Sequence, residues 1–145
     1  MASRIFKRHE IARVAKEIIN LHPGIIALEG PLGAGKTTLT KELAKQLGIK
    51  EEITSPTFIL HSSYYLLNTN SYLHHIDCWR MEDFSELINI GFLDMLKPGN
   101  IVILEWADKF RSQILDLRLH KILWIKLDYT DNKEERSISY EDFSH

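Results

Sequence analysis

The residues with the clearest chemistry form a glycine-rich stretch from Gly30 to Thr38, Gly-Pro-Leu-Gly-Ala-Gly-Lys-Thr-Thr. Two glycines that bracket four residues and are followed by Lys-Thr are typical of a phosphate-binding loop. Glycines allow the backbone N–H groups to approach phosphate oxygens closely. Lys36 would place its charge on the terminal phosphates, and the hydroxyl of Thr37 would ligate Mg²⁺. The stretch therefore predicts a site for a triphosphate and its cation.

The flanking residues supply the elements that must position such a loop. Residues 25–28 are an apolar run, which is typical of a buried strand. In residues 38–47 a leucine recurs at every fourth position, and Gly48 follows, which predicts an amphipathic helix with a C-terminal glycine. Strand, glycine loop and helix together favour a phosphate site over a flexible glycine-rich turn without a ligand.

Two carboxylates end predicted strands and could serve the cation. Residues 101–105, Ile-Val-Ile-Leu-Glu, form the clearest buried strand and end in Glu105, whereas residues 72–77 end in Asp77. In open α/β sheets the ligand lies at the carboxyl ends of parallel strands. Glu105 is therefore expected near the nucleotide, as a metal ligand or as the base that orients an attacking water. The residues do not determine the direction of the strand that carries Asp77, so its role stays open.

Four further side chains have both a functional and a structural interpretation. Thr57 lies in a Ser-Pro-Thr segment, which could sense the terminal phosphate or form a capped turn that enters a strand. Trp106 could stack on a base or ribose, or pack beneath the site. Arg80 could act on the transferring phosphate or form a surface ion pair. His75 shares a strand face with Asp77, but no further Cys or His spacing completes a zinc site.

The remaining pattern predicts an α/β fold with three layers, like that of P-loop NTPases. Its central sheet would be mixed, with a parallel core and an antiparallel hairpin. The predicted helices cover residues 9–21, 38–47, 82–88, 91–96 and 107–115. The predicted strands cover residues 25–28, 58–67, 72–77, 101–105, 121–128 and 136–140, the last of them at a sheet edge and followed by a frayed end.

Composition limits the class of protein. The chain has 145 residues, which suits a single domain over residues 1–145. A net charge of −2 with mixed signs disfavours a free-standing nucleic-acid binder. One cysteine, Cys78, excludes an internal disulfide framework and fits a reducing compartment. No apolar run is long enough to span a bilayer, so a cytoplasmic protein that does not act at a membrane is expected.

Four motifs, taken in order, resemble the TsaE (YjeE) family of small bacterial P-loop ATPases that help to make threonylcarbamoyladenosine in tRNA. They are the glycine loop at 30–38, Thr-Ser-Pro-Thr-Phe at 54–58, His-Ile-Asp-Cys-Trp-Arg at 75–80 and Leu-Glu-Trp-Ala-Asp at 104–108. The resemblance implies binding of ATP and Mg²⁺ and weak ATP hydrolysis by the chain alone. It also implies work with the TsaD and TsaB proteins, and with tRNA indirectly through that complex.

The resemblance implies roles for individual residues as well. Asp77, Glu105 and Thr57 match the family's catalytic positions, with Thr57 in its switch-like loop. Thr37, Glu105 and Asp77 match the positions that serve magnesium. The residues that match its ATP-binding positions are Leu32, Gly33, Ala34, Gly35, Lys36, Thr37, Thr38 and Trp106. The chain departs from the family pattern at residues 78–79, Cys-Trp, where Leu-Tyr is usual.

Two alternative functions also fit a phosphate loop. A small-molecule P-loop kinase usually closes an arginine-rich lid over the phosphates, and no arginine cluster after Arg80 marks one. A non-catalytic nucleotide switch would bind ATP and change shape, but it would need neither Glu105 nor Asp77 for its output. An assay for phosphorylation of nucleosides and small alcohols separates the kinase from the ATPase, and alanine substitutions of the two carboxylates separate the switch.

Overall fold

One seven-stranded sheet organises the part of the chain that the computed structural model describes, residues 3–53, 60–117 and 120–143. The strands are β1 (Ser3–Lys7), β2 (Ile25–Glu29), β3 (His61–Leu66), β4 (Ser71–Asp77), β5 (Ile101–Glu105), β6 (Ile122–Tyr129) and β7 (Glu135–Phe143). Their order across the sheet is β1-β7-β6-β2-β5-β4-β3.

The sheet combines a parallel core with antiparallel margins. Strands β6, β2, β5 and β4 run parallel, whereas β3 pairs antiparallel with β4, and β7 pairs antiparallel with both β6 and β1. The predicted mixed sheet with a parallel core and a hairpin is therefore confirmed. Because parallel strands end at the same edge, the ends of β2, β4 and β5 bring Glu29, Asp77 and Glu105 to one edge of the sheet.

Helices cover both faces and complete three layers. They are α1 (Ile11–Ile19), α2 (Lys36–Gln46), α3 (Phe84–Asn89), α4 (Phe92–Met95) and α5 (Arg111–Leu115), with 3-10 turns at Arg8–Glu10 and Ala107–Phe110. Alternation along β2 divides the core, because successive strand residues point to opposite faces. Ile26 and Leu28 pack with α1 and α2, whereas Ile25 and Ala27 pack with the helices of the other face. None of the helices in the described ranges is long and apolar enough to cross a membrane.

Some predicted elements need correction. The stretch before α1 contains strand β1, which the apolar pattern did not indicate, and α1 is shorter than the predicted helix. The last strand was predicted at the sheet edge, and this was wrong, because β1 pairs along its outer side. Strand β7 also continues to Phe143, through most of the segment expected to fray. Residues 58 and 59 of the predicted first hairpin arm lie outside the described ranges.

Gly30, directly after β2, has no room for a side chain. A Cβ built on it would lie 2.3 Å from the carbonyl oxygen of Leu127, which belongs to the neighbouring strand β6. Gly30→Ala is therefore expected to lower the free energy of unfolding by about 1–3 kcal/mol, because a strand carbonyl has little freedom to move. Urea unfolding measures the change. Gly24→Ala is the matched control, since a Cβ there lies 3.6 Å from the Lys121 carbonyl oxygen, an ordinary contact. Equal unfolding midpoints for the two variants would contradict the prediction.

Candidate functional site

The phosphate loop joins β2 to α2 at the carboxyl edge of the parallel strands. Gly33 and Gly35 have φ angles of +79° and +107°, a region that favours glycine. A Cβ on Gly33 would lie 2.7 Å from the hydroxyl oxygen of Tyr129, and that hydroxyl donates a hydrogen bond to the carbonyl of Leu32. A Cβ on Gly35 would meet nothing within 4 Å. The loop is thus anchored to β6 through Tyr129, whereas the space around Gly35, at the start of α2, is free of other described atoms.

The N-terminus of α2 presents donors for an anion. The first N–H groups of a helix have no partner within the helix. Gly35 is the N-cap of α2 and brings no side chain to cap them. Together with the positive end of the helix dipole, these groups suit phosphate oxygens, so the loop geometry fits a bound triphosphate.

Lys36 lies within the loop rather than in solvent. Its Nζ donates hydrogen bonds to the carbonyl oxygens of Gly30 and Pro31, at 2.5 and 3.0 Å, and lies 4.0 Å from the centre of the Trp106 ring. Burial lowers the pKa of the Lys36 ammonium, while the Glu105 carboxylate opposes that shift. The structure therefore brings Lys36 and Trp106, two of the predicted site residues, into contact, and it holds the charge of Lys36 against loop carbonyls.

Glu105 connects the loop to the sheet. Its side chain is only 3% exposed, and a buried carboxylate requires hydrogen-bond donors. The hydroxyl of Thr37 donates to Oε1 at 3.1 Å, and Nε2 of His75 bonds Oε2. The predicted pair Thr37 and Glu105 is thus in direct contact across 68 residues of sequence.

Asp77 lies beside Glu105, because β4 runs parallel to β5 and the register pairs these two residues. Its Oδ1 accepts a hydrogen bond from the backbone N–H of Trp79 at 2.9 Å. Burial raises the pKa of Asp77, and the neighbouring charge of Glu105 raises it further. The direction of β4, which the sequence left open, places both candidate carboxylates at one point of the sheet edge.

These residues line a cleft of about 340 Å³. Its walls are formed by Leu32, Gly33, Gly35, Lys36, Thr37, Thr38, Asp77, Trp79, Arg80, Glu105 and Trp106. The side chain of Ala34 is fully buried in the core and does not line the cleft. Thr57 lies outside the described residues. A larger hollow, of about 810 Å³ near Lys97, contains none of the predicted site residues.

The oxygen ligands of the cleft suit magnesium that is bound together with phosphate. Among residues 3–53, 60–117 and 120–143, no group of three or more His, Cys, Asp or Glu side chains is arranged to hold a metal ion. Mg²⁺ usually takes only one or two protein ligands, with phosphate oxygens and water completing its shell. Thr37, Glu105 and Asp77 offer oxygen donors only, which fits that preference.

Three residues at the site escaped prediction or were assigned differently. His75 was considered beside Asp77, but its contact is with Glu105. Only the parallel register of β4 and β5 reveals this contact. Tyr129 comes from β6 and carried no local signal. Trp79 packs against Trp106 with ring centres 4.5 Å apart and the ring planes tilted by 46°. Its place in the motif at residues 75–80 was the one available indication.

Asp77→Asn is expected to stabilise the metal-free protein at pH 7. A carboxyl whose pKa is raised by folding favours the fold when protonated, and this contribution disappears as the pH rises through the folded pKa. The asparagine removes the ionisation and keeps an oxygen for the Trp79 N–H. The gain in thermal unfolding temperature should therefore be present at pH 7 and absent below about pH 3.5, where both states are protonated.

Thermal unfolding in the presence of a chelator measures this difference. Asp131→Asn is the control, because that carboxylate is exposed and its removal changes the net charge equally. A gain of equal size at both pH values, or the same gain in the control, would show that ionisation of Asp77 is not responsible.

A phosphate loop at the carboxyl edge of a mixed sheet, with helices on both faces, defines a three-layer α/β fold of the P-loop type. A family model described as "Threonylcarbamoyl adenosine biosynthesis protein TsaE" matches residues 5–138. The chain therefore belongs to the TsaE family.

Individual relatives agree with this assignment. The tRNA threonylcarbamoyladenosine biosynthesis protein TsaE of Bacillus subtilis is 39% identical over 103 residues, 70% of this chain and 62% of that protein. The protein of the same name from Treponema pallidum is 37% identical over 90 residues, 62% of this chain and 64% of its own length. The chain thus spans a little under two thirds of these two relatives. The crystal structure of Bacillus subtilis YdiB matches with a TM-score of 0.69 and 26% identity, covering 96% of this chain and 84% of that one.

Proposed function

We propose that this protein is a Mg²⁺-dependent ATPase that supports the formation of threonylcarbamoyladenosine in tRNA together with TsaD and TsaB. The observation that carries the proposal is the 3.1 Å contact between the Thr37 hydroxyl and Glu105, because it joins the phosphate loop to a strand-end carboxylate. Membership of the TsaE family supports the role in threonylcarbamoyladenosine formation. The partners TsaD and TsaB are proposed from the resemblance of the four sequence motifs to that family.

Four side chains of the cleft have a place in the proposed reaction. The loop amides and Lys36 bind the triphosphate, and Thr37 with Glu105 holds the cation. When bound, Mg²⁺ would neutralise charge on the β- and γ-phosphate oxygens. Asp77, whose pKa is raised by burial, suits the base that orients the attacking water and accepts its hydrogen bond. In-line attack of that water would form a bond to the γ-phosphorus and break the bond to ADP, and the proton of the water would pass to the Asp77 carboxylate.

The proposed setting of the protein is the cytoplasm. The one cysteine, Cys78, is buried and unpaired, and a free thiol is usual in a reducing compartment. Burial raises its pKa to about 12, so the thiol is not a nucleophile at neutral pH.

The isolated chain is expected to hydrolyse ATP slowly, and the partner proteins are expected to increase that rate.

Reconstitution tests the proposal. Phosphate release from Mg·ATP is measured for the protein alone and with TsaD and TsaB, and modified adenosine is measured when tRNA and the threonylcarbamoyl donor are added. Stimulated hydrolysis and ATP-dependent modification would support the proposal. Calorimetry that detects no association with Mg·ATP would contradict it, and rapid transfer of phosphate to a nucleoside or small alcohol would favour the kinase alternative.

A further inference from the structure

We propose that His75 is a positioning residue, which holds the carboxylate of Glu105 in the orientation that the cation requires. The inference rests on the proposed function, since it assigns a role toward the same Mg²⁺-nucleotide site. His75 itself does not line the cleft, and it would act entirely through Glu105.

The carboxylate of Glu105 is held from two elements. Strand β4 carries His75, and its Nε2 bonds Oε2. Helix α2 carries Thr37, and its hydroxyl lies 3.1 Å from Oε1 and 3.4 Å from Oε2, so its nearer contact is with Oε1. In the parallel register His75 lies opposite Ile103. Ile103 precedes Glu105 by two residues, so both side chains point to the same face of the sheet. The imidazole therefore reaches along the strand to the carboxylate and leaves the other oxygen on the side of the phosphate loop.

The hydrogen bond determines which nitrogen of the imidazole carries the proton. A carboxylate accepts hydrogen bonds only, so Nε2 of His75 must be the donor. The other ring nitrogen, Nδ1, is buried without a hydrogen-bond partner in the described part of the chain. An unpaired buried nitrogen lowers the stability of the fold. An aliphatic side chain would avoid this cost among neighbours such as Leu73 and Ile103, so the imidazole is better explained by what Nε2 does for Glu105.

Removing this contact is expected to weaken the cation site selectively. The carboxylate of Glu105 would keep one of its two anchors and gain freedom to rotate away from the loop. Loss of a hydrogen-bond partner of a metal ligand typically weakens metal affinity about 10–100-fold. Binding of the nucleotide in the absence of metal depends on the loop, on Lys36 and on the charge of Glu105. A substitution of His75 leaves all three in place, so metal-free binding should change little.

Three substitutions test the inference. His75→Leu keeps the volume and removes the donor. The amide nitrogen of His75→Gln can occupy the place of Nε2, whereas that of His75→Asn is too short to reach Glu105. Calorimetry first measures the affinity for ATP in the presence of a chelator. A series with increasing Mg²⁺ then gives the metal concentration at which half of the metal-dependent increase in ATP affinity is reached. The Leu and Asn variants should require about 10–100-fold more Mg²⁺, with metal-free affinity within about twofold of the native value, and the Gln variant should resemble the native protein.

A double-mutant cycle separates positioning from a structural role. In a Glu105→Gln background the carboxylate is already lost, so adding His75→Leu should leave the Mg²⁺ response unchanged. A further loss in that background would overturn the inference, as would an unaltered response in the single Leu and Asn variants or equal losses with and without metal. If His75→Leu fails to fold, the Gln and Asn pair makes the same comparison.

Failure of the inference can be distinguished from failure of the proposed function. A native protein whose ATP binding does not respond to Mg²⁺ contradicts the proposed function and the role of His75 with it. If ATP binding responds to Mg²⁺ equally in the native protein, in His75→Leu and in His75→Asn, only the role of His75 is overturned.

Discussion

Lys36→Met is expected to weaken binding of Mg·ATP about 10²–10³-fold, because it removes the one cationic side chain that the loop holds inside itself among the described residues. Hydrogen bonds to charged groups contribute about 1.5–3 kcal/mol each, and the ammonium can make two such bonds to the terminal phosphates. Methionine keeps the apolar stem that packs near Trp106 and loses the ammonium, with its hydrogen bonds to the carbonyls of Gly30 and Pro31. Titration calorimetry with Mg·ATP measures the loss.

The control for this variant is Lys41→Met, which removes an equal charge from an exposed position of α2 outside the cleft. Its affinity for Mg·ATP should stay within about twofold of the native value. Binding by Lys36→Met at nearly native affinity would show that the triphosphate does not occupy the loop, and the proposed function would fail with it.

The phosphate loop and its two flanking elements could be predicted from sequence because their signals are local. An apolar run, glycines at fixed positions and a leucine at every fourth position all lie within residues 25–48, and each determines the backbone near it. Strand β5, residues 101–105, was predicted with its full extent for the same reason. Neither assignment depends on a partner distant in sequence.

Strand β1 could not be found in this way. Its residues Ser3–Lys7 bury only Phe6, and their charges resemble those of a solvated segment. The strand exists because its backbone pairs with β7, from Ser3 opposite Ser139 to Lys7 opposite Glu135. Pairing across more than a hundred residues leaves no local pattern, and the same omission made β7 look like the sheet edge.

The arrangement of the candidate site depended on sheet order as well. Sequence identified Asp77 and Glu105 as strand-end carboxylates, but their proximity follows from the parallel pairing of β4 with β5. The contact from His75 to Glu105 required the register of that pairing, which no spacing along the chain contains. The types of the site residues could therefore be identified from the sequence, whereas the distances between their side chains are determined by the pairing of the strands.

Glu105→Gln is expected to have opposite effects on metal-free binding and on turnover. The substitution keeps the volume of a side chain that is 3% exposed and removes its charge. Without Mg²⁺, the native carboxylate repels the triphosphate, so metal-free ATP affinity should rise roughly threefold to tenfold. With Mg²⁺ present, the loss of a charged ligand should lower phosphate release and tRNA modification on the order of 10²–10³-fold.

Glu29→Gln is the matched control for that variant. Glu29 also ends a parallel strand, but it lies on the opposite face, where Nε1 of Trp124 donates to its Oε1 at 2.8 Å. An amide oxygen accepts the same hydrogen bond, and the net charge changes equally, so ATP affinity and turnover should stay within about twofold of native. If both glutamine variants raise metal-free affinity to the same extent, the effect comes from net charge. If Glu105→Gln hydrolyses Mg·ATP at the native rate, the cation is held elsewhere, and the contact between Thr37 and Glu105 serves only to join α2 to the sheet.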